Sequence, residues 1–172
     1  MHEKIFLDTF ILFEAIEYKE IREFLRKLRN LGHYLCTSIS VLGEFFQVCI
    51  NKNKSPDILR EAYKLLRELE VAILFPSLRR PFIDSKLQVI WWLPQVRICC
   101  RCIDEYYKDK SRRPSPSDIT HLAYAAADNI DFFLTSKGEL EKFYSYPDSS
   151  TPCRTNKPKV VDIDMLRKAL NL

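Results

Sequence analysis

Glycine and histidine are scarce in this 172-residue chain: Gly32, Gly43 and Gly138, with His2, His33 and His121, are all there is of either. A cradle for the phosphates of a dinucleotide or nucleoside triphosphate needs at least two glycines within a few residues, so that backbone can approach the ligand. No two glycines here lie that close, and both motifs are excluded. The HExxH zinc signature is absent, and three scattered histidines do not make a His-rich zinc site. Long apolar runs are missing too. VAILF (Val71 to Phe75) and VIWWL (Val89 to Leu93) are short, well under the roughly 20 residues that span a bilayer. Glu3, Lys4 and Asp8 stand where a signal peptide would carry its apolar segment. The expectation is a cytoplasmic protein with no membrane segment. The six cysteines include a CxxC at Cys99 and Cys102, but no second CxxC completes a four-ligand zinc site. They read as reduced core or surface cysteines. Any chemistry then falls to carboxylates, hydroxyls, lysines, tyrosines or cysteines.

What is present describes a folded chain. Hydrophobic residues make up 47% and charged residues 29%, and the length suits one domain with a sizeable core. Lys4 to Leu7 reads as a strand ending at Asp8. Thr9 to Ile16 and Ile21 to Leu31 read as helices, and His33 to Thr37 as a second strand. Ser38 or Ser40 caps a helix reaching about Ile50, and Pro56 opens another. Val71 to Phe75 is a third strand, stopped by Pro76. Arg79 to Lys110 is expected to be mostly helical, with a break near Pro94. SRRPSPSD (Ser111 to Asp118) is a loop, followed by an alanine-rich helix from Ile119 to Asp128. Asp131 to Thr135 is a fourth strand. Residues 146–159 read as a mobile insertion, Lys159 to Val161 as an edge strand, and Asp164 to Leu170 as a closing helix. Strands alternating with helices predict an α/β fold with a parallel sheet covered on both faces. Crossovers are then right-handed, and ligands sit beyond the carboxyl ends of the strands.

That rule selects among the acids. Glu14, Glu17, Glu20, Glu23, Glu61, Glu68 and Glu70 fit solvated helix faces. Asp8 instead ends an apolar strand. Glu44 follows the second strand, one or two helical turns on, among Leu42, Phe45 and Phe46. Asp118 begins the alanine-rich helix. Asp8 and Asp118 also read as helix caps, and Glu44 as part of an amphipathic face. Taken together, the three converge on one edge of the sheet. Carboxylates crowded there repel, raising at least one pKa, and a divalent cation relieves that cost. Oxygen ligands favour Mg²⁺ or Mn²⁺. Such an ion polarises a phosphoryl oxygen and helps form hydroxide, which points to phosphodiester hydrolysis.

These residues resemble the PIN-domain family, and within it the VapC-type toxin-like proteins. FLDTF is similar to the family's opening strand with its Asp-Thr pair. VLGEFF is similar to the helix with the second acid, and SDITHLAYAAADNIDFFLTS to the third block. The order holds through the final KVVDIDMLRKAL. The resemblance implies a three-layer α/β/α fold of Rossmann-like topology with a five-stranded parallel sheet. It implies a Mg²⁺- or Mn²⁺-dependent ribonuclease, with Asp8, Glu44 and Asp118 as metal ligands and water activators. Thr9 would be a hydroxyl beside them. His121, one turn from Asp118, would orient that carboxylate or simply pack beside the helix start. A small antitoxin partner and a homodimer are further implications. One position departs from the pattern. After Thr135 and Ser136 the family places Asp or Asn, and this chain has Lys137. A cation there weakens metal binding or replaces a second metal electrostatically. Glu139 sits two residues late for that role, and Asp131 is at the wrong end of the strand.

The net charge of +4, from 27 basic against 23 acidic residues, does not by itself identify a nucleic-acid ligand. Lys108, Lys110, Arg112 and Arg113 precede Asp118 and are candidates to hold phosphates. Arg79 and Arg80 are a weaker pair, and Trp91 and Trp92 are candidates for base stacking or for packing. Two main readings follow. One is a metal-dependent endoribonuclease acting on single-stranded or structured RNA, the toxin of a toxin-antitoxin pair. The other is a catalytically weakened module of the same fold that binds nucleic acid or protein. A subunit serving only assembly is a third class.

Overall fold

The computed structural model describes residues 2–74, 82–83, 89–90, 94–108, 113–143 and 158–172. Its main sheet has five parallel strands in the order β3-β2-β1-β6-β7. These are β1 (Lys4–Leu7), β2 (Tyr34–Ser38), β3 (Ala72–Leu74), β6 (Phe132–Leu134) and β7 (Lys159–Val161). Helices cover both faces, giving the three-layer α/β/α architecture. Among the described residues, no helix is long and apolar enough to cross a membrane.

The central strands follow from composition. Ile5, Phe6 and Leu7 are fully buried, as a strand covered on both faces requires. Phe133 and Leu134 in β6 are equally buried, and Phe6 stacks on Phe133 with centroids 5.2 Å apart. Each such side chain contributes roughly 1.5–3 kcal/mol on burial. The helices begin where small polar residues permit. α1 (Thr9–Glu17) follows β1 directly, and α2 (Lys19–Asn30) runs on after Tyr18. Ser38 caps α3 (Ile39–Asn51), its hydroxyl accepting from the Val41 amide at 3.2 Å. Ser55 and Pro56 start α4 (Pro56–Glu68). Ser115 and Pro116 start α6 (Pro116–Ala127), whose Ala123, Ala125 and Ala126 are buried. α8 (Ile163–Leu170) closes the order after β7.

Scarcity of glycine has a visible result. Gly32 turns the chain out of α2 at φ +85°, and a Cβ there would meet the His2 ring at 2.7 Å. The other left-handed positions, Asn53, Glu70, Asn129 and Asn171, carry side chains. Asparagine tolerates that region best after glycine, which accounts for three of the four.

One stretch departs from expectation. Within Arg79 to Lys110, two short strands stand where helix was expected. Phe82–Ile83 (β4) and Val89–Ile90 (β5) pair antiparallel, and a helix, α5 (Pro94–Tyr107), starts at Pro94. A short apolar run does not distinguish strand from helix by periodicity, and Pro94 is accommodated only in a first helical turn. Trp91, Trp92, Arg79 and Arg80 lie outside the described residues, as do residues 146–157 of the expected insertion. Its last residue, Lys159, is already in β7.

His33, just before β2, gives the fold a pH dependence. It is buried, and its Nδ1 accepts from the Glu3 amide at 3.1 Å. Only an unprotonated Nδ1 can accept. Burial pulls its pKa below the ordinary histidine value, against a smaller upward pull from Glu3. The unfolded chain therefore binds more protons, and stability falls as pH drops from about 6.5 through the lower folded value. Between pH ~7 and ~5 the loss is expected to be on the order of 1 kcal/mol. Urea denaturation at both pH values checks this, with His33→Gln expected to lose that component.

Candidate functional site

β1 delivers Asp8 to the carboxyl edge of the sheet, 2% exposed. It occupies the N-cap position of α1, yet its side chain makes no capping hydrogen bond. The carboxylate turns elsewhere. Thr135 Oγ1, just past β6, donates to Asp8 Oδ2 at 2.8 Å, and His121 Nδ1 lies 3.2 Å from Asp8 Oδ1. Glu44, in α3, accepts a hydrogen bond from the Thr9 hydroxyl through Oε2. The same Oε2 lies 3.8 Å from His121 Nδ1. His121 is fully buried and joins the two acids. A carboxylate only accepts, so Nδ1 carries a proton. Nε2 lies 3.4 Å from the Ser117 hydroxyl.

His121, read from the sequence as orienting Asp118 or packing beside the helix start, has its ring against Asp8. Asp118 points back along α6 into a capping box, where the Ser115 amide donates to its Oδ2 at 2.9 Å and the Asp118 amide donates to Ser115 Oγ at 3.1 Å. The helix-start reading of Asp118 is thus realised for one of its oxygens. Asp131 lies at the opposite edge of the sheet, accepting from the Lys4 amide at 2.8 Å.

The chain after β6 adds one residue that the sequence did not bring forward, Lys142. Buried Ser136 precedes a one-turn helix, α7 (Lys137–Leu140), and a 3-10 turn at Glu141–Phe143. Lys137 is exposed and lines a pocket of about 100 Å³ with Glu14, Asp162 and Asp164. Asp8, Glu44 and Asp118 are not among that pocket's lining residues. Glu139 turns inward: its side chain is 17% exposed and forms an ion pair with Lys142. Burial pulls the Lys142 pKa down, but its hydrogen bond to Glu139 and the charges of Asp118, Glu139 and Asp8 raise it above the ordinary lysine value. Its ion-pair partner is Glu139. Its one sequence signal is the i,i+3 spacing from Glu139.

The basic candidates are less concentrated. Arg113 pairs with Asp104, and Lys108 Nζ lies 3.6 Å from Glu105. Lys110 and Arg112 lie outside the described residues.

Mg²⁺ or Mn²⁺ needs oxygens that face one point and are free to bind it. Both oxygens of Asp8 have internal partners, Glu44 holds the Thr9 hydroxyl, and Asp118 accepts from its own helix start. Among the described residues, no three His, Cys, Asp or Glu side chains are gathered to hold a metal ion. The arrangement does not fit a divalent cation.

No family model matches the sequence, and no curated protein is similar to it by sequence. Solved structures do share its fold. VapBC2 from Rickettsia felis, bound to a DNA fragment from its promoter, superposes with a TM-score of 0.66 at 15% identity, over 92% of this chain and 98% of that one. DNA-bound VapBC from Salmonella typhimurium gives 0.60 at 18%, over 93% and 98%. VapBC-1 from nontypeable Haemophilus influenzae gives 0.61 at 13%, over 92% and 97%. The chain has the VapC-type PIN-domain fold. At these identities the likeness is one of fold. In this PIN fold Asp8 follows β1, Glu44 lies in α3, and Asp118 lies in the first turn of α6.

Proposed function

We propose that this PIN-fold chain is a nucleic-acid-binding module whose acidic pocket is catalytically weakened. One observation carries the reading: Asp8, Glu44 and Asp118 are compensated from within the protein, by His121, Thr135, Thr9 and the Ser115 amide. Carboxylates satisfied in this way gain less from a metal ion than bare ones. The ligand class is supported by the shared fold, since two of the similar structures were crystallised with DNA. The net charge of +4 is compatible with a phosphate backbone. RNA is the proposed ligand for this chain. A small antitoxin-like protein and a second copy of the chain are the proposed partners.

The test is a labelled single-stranded RNA, followed by anisotropy in EDTA and by fragment analysis in Mn²⁺ or Mg²⁺. Binding is expected without metal. It should weaken with salt at a logarithmic slope of about −0.7 per phosphate contacted. No metal-dependent fragments are expected. Fragments that need Mn²⁺ and vanish in both Asp8→Asn and Glu44→Gln would reject this reading. They would establish the second one, a metal-dependent endoribonuclease, which the gathering of Asp8 and Glu44 on one histidine favours.

A further inference from the structure

Ser117, His121 and Asp8 stand in line at the carboxyl edge of the sheet. Ser117 and His121 lie one turn apart on α6, so their side chains share a face. Ser117 Oγ is 3.4 Å from His121 Nε2. On its other side the ring meets Asp8, with Nδ1 3.2 Å from Oδ1. Burial deepens along that line: Ser117 is partly exposed, while His121 and Asp8 are buried. Asp8 is held for its place. Its side chain makes no cap bond to α1, and its second oxygen accepts from Thr135 Oγ1 at 2.8 Å. A hydroxyl near the surface, an imidazole behind it and a buried carboxylate behind that have the order of a nucleophile, its base and the group that orients the base.

We propose that Ser117, His121 and Asp8 form a nucleophilic triad that acts on carboxylic esters. This activity is separate from nucleic-acid binding. Asp8 holds the Nδ1 proton, and the uncharged ring turns the lone pair of Nε2 to the Ser117 hydroxyl. Ser117 Oγ attacks the acyl carbon as its proton passes to Nε2. The bond from the acyl carbon to the alcohol oxygen breaks, and the alcohol leaves with that proton. Water then cleaves the acyl-serine by the same route, returning the free hydroxyl and releasing a carboxylic acid. The Ser117 amide lies in the first turn of α6, where amides have no partner within the helix, and offers a donor for the oxyanion. The Asp118 amide is already taken by Ser115 Oγ. A neutral ester suits the position better than a phosphate. Asp118 follows Ser117 directly, Asp8 and Glu44 both lie against the ring, and these carboxylates repel an anion.

Labelling of the full chain with phenylmethylsulfonyl fluoride in EDTA, read by intact mass and peptide mapping, tests this. The reagent joins its sulfonyl group to an activated serine hydroxyl with loss of fluoride and the hydroxyl proton. Wild type is expected to carry one adduct, on Ser117, formed at least ~100-fold faster than on any other serine. Ser117→Ala should lose the adduct, and with it the burst of p-nitrophenol from p-nitrophenyl acetate. His121→Gln should slow labelling at least ~100-fold, and Asp8→Asn at least ~10-fold. Labelling of Ser117 no faster than of the other serines in folded wild type would overturn the proposal, and that outcome needs no variant to fold. So would an unchanged rate in a folded His121→Gln. Metal-dependent cleavage of RNA would reject the binding-module reading and leave this comparison intact, because labelling is read in EDTA without RNA.

Discussion

His121→Ala is expected to lower stability by about 3 kcal/mol. The ring is fully buried, so truncation leaves a cavity. It also removes the group 3.2 Å from Asp8 Oδ1 and 3.8 Å from Glu44 Oε2. Asp8, itself 2% exposed, keeps only the Thr135 hydroxyl as its side-chain partner in this cluster. A buried carboxylate deprived of a partner costs more than the hydrogen bond it had contributed. The two parts of the loss separate in a double variant. Asp8→Asn removes the charge that His121 meets, so Asp8→Asn/His121→Ala should be more stable than His121→Ala alone. Urea denaturation at neutral pH measures both. A His121→Ala loss below about 1 kcal/mol would mean that the ring does not hold the acids.

Phe133→Ala is expected to cost about 3–5 kcal/mol, the range for a phenylalanine lost from a closed core. Phe133 is fully buried, with Phe6 at 5.2 Å on one side and Phe143 at 5.4 Å on the other. The effect reaches the turn after β6 through that second contact. Phe143 anchors the turn bearing Lys142, so the variant should also loosen Lys142 against Glu139. Hydrogen exchange at the amides of residues 141–143 should rise beyond what the stability loss predicts for β1. A midpoint shift in urea with an unchanged slope would identify a loss of stability rather than of two-state unfolding.

The sheet was legible because its strands are short apolar runs bounded by turns. Ile5 to Leu7 could hardly be placed elsewhere than in a covered strand. Asp8 and Glu44 were legible for the same reason, since a strand end fixes where the next residues go. His121 was visible as a residue but not as a partner of Asp8. The two are 113 residues apart, and no local pattern links them. Asp118 carried a local signal, Ser115 three residues earlier, that reads as a capping box. The hairpin of β4 and β5 was lost to a helical reading of a short apolar stretch. Lys142 was missed because one-turn helices and 3-10 turns leave no periodicity to read.

The strand order has a consequence for how the protein is made. Asp8 is synthesised long before its hydroxyl partner Thr135, which follows 127 residues later. β1 occupies the middle of the sheet, between β2 and β6. During translation it has one neighbour long before it has the other. Such distant pairings form slowly and last. A nascent chain stopped before β6 would carry Ile5 to Leu7 as an open sheet edge, a template for aggregation. It would also lack the Thr135 hydroxyl that Asp8 accepts from. The pocket is thus complete only once the chain extends past Thr135, and a translation product ended before β6 should be insoluble rather than partly functional.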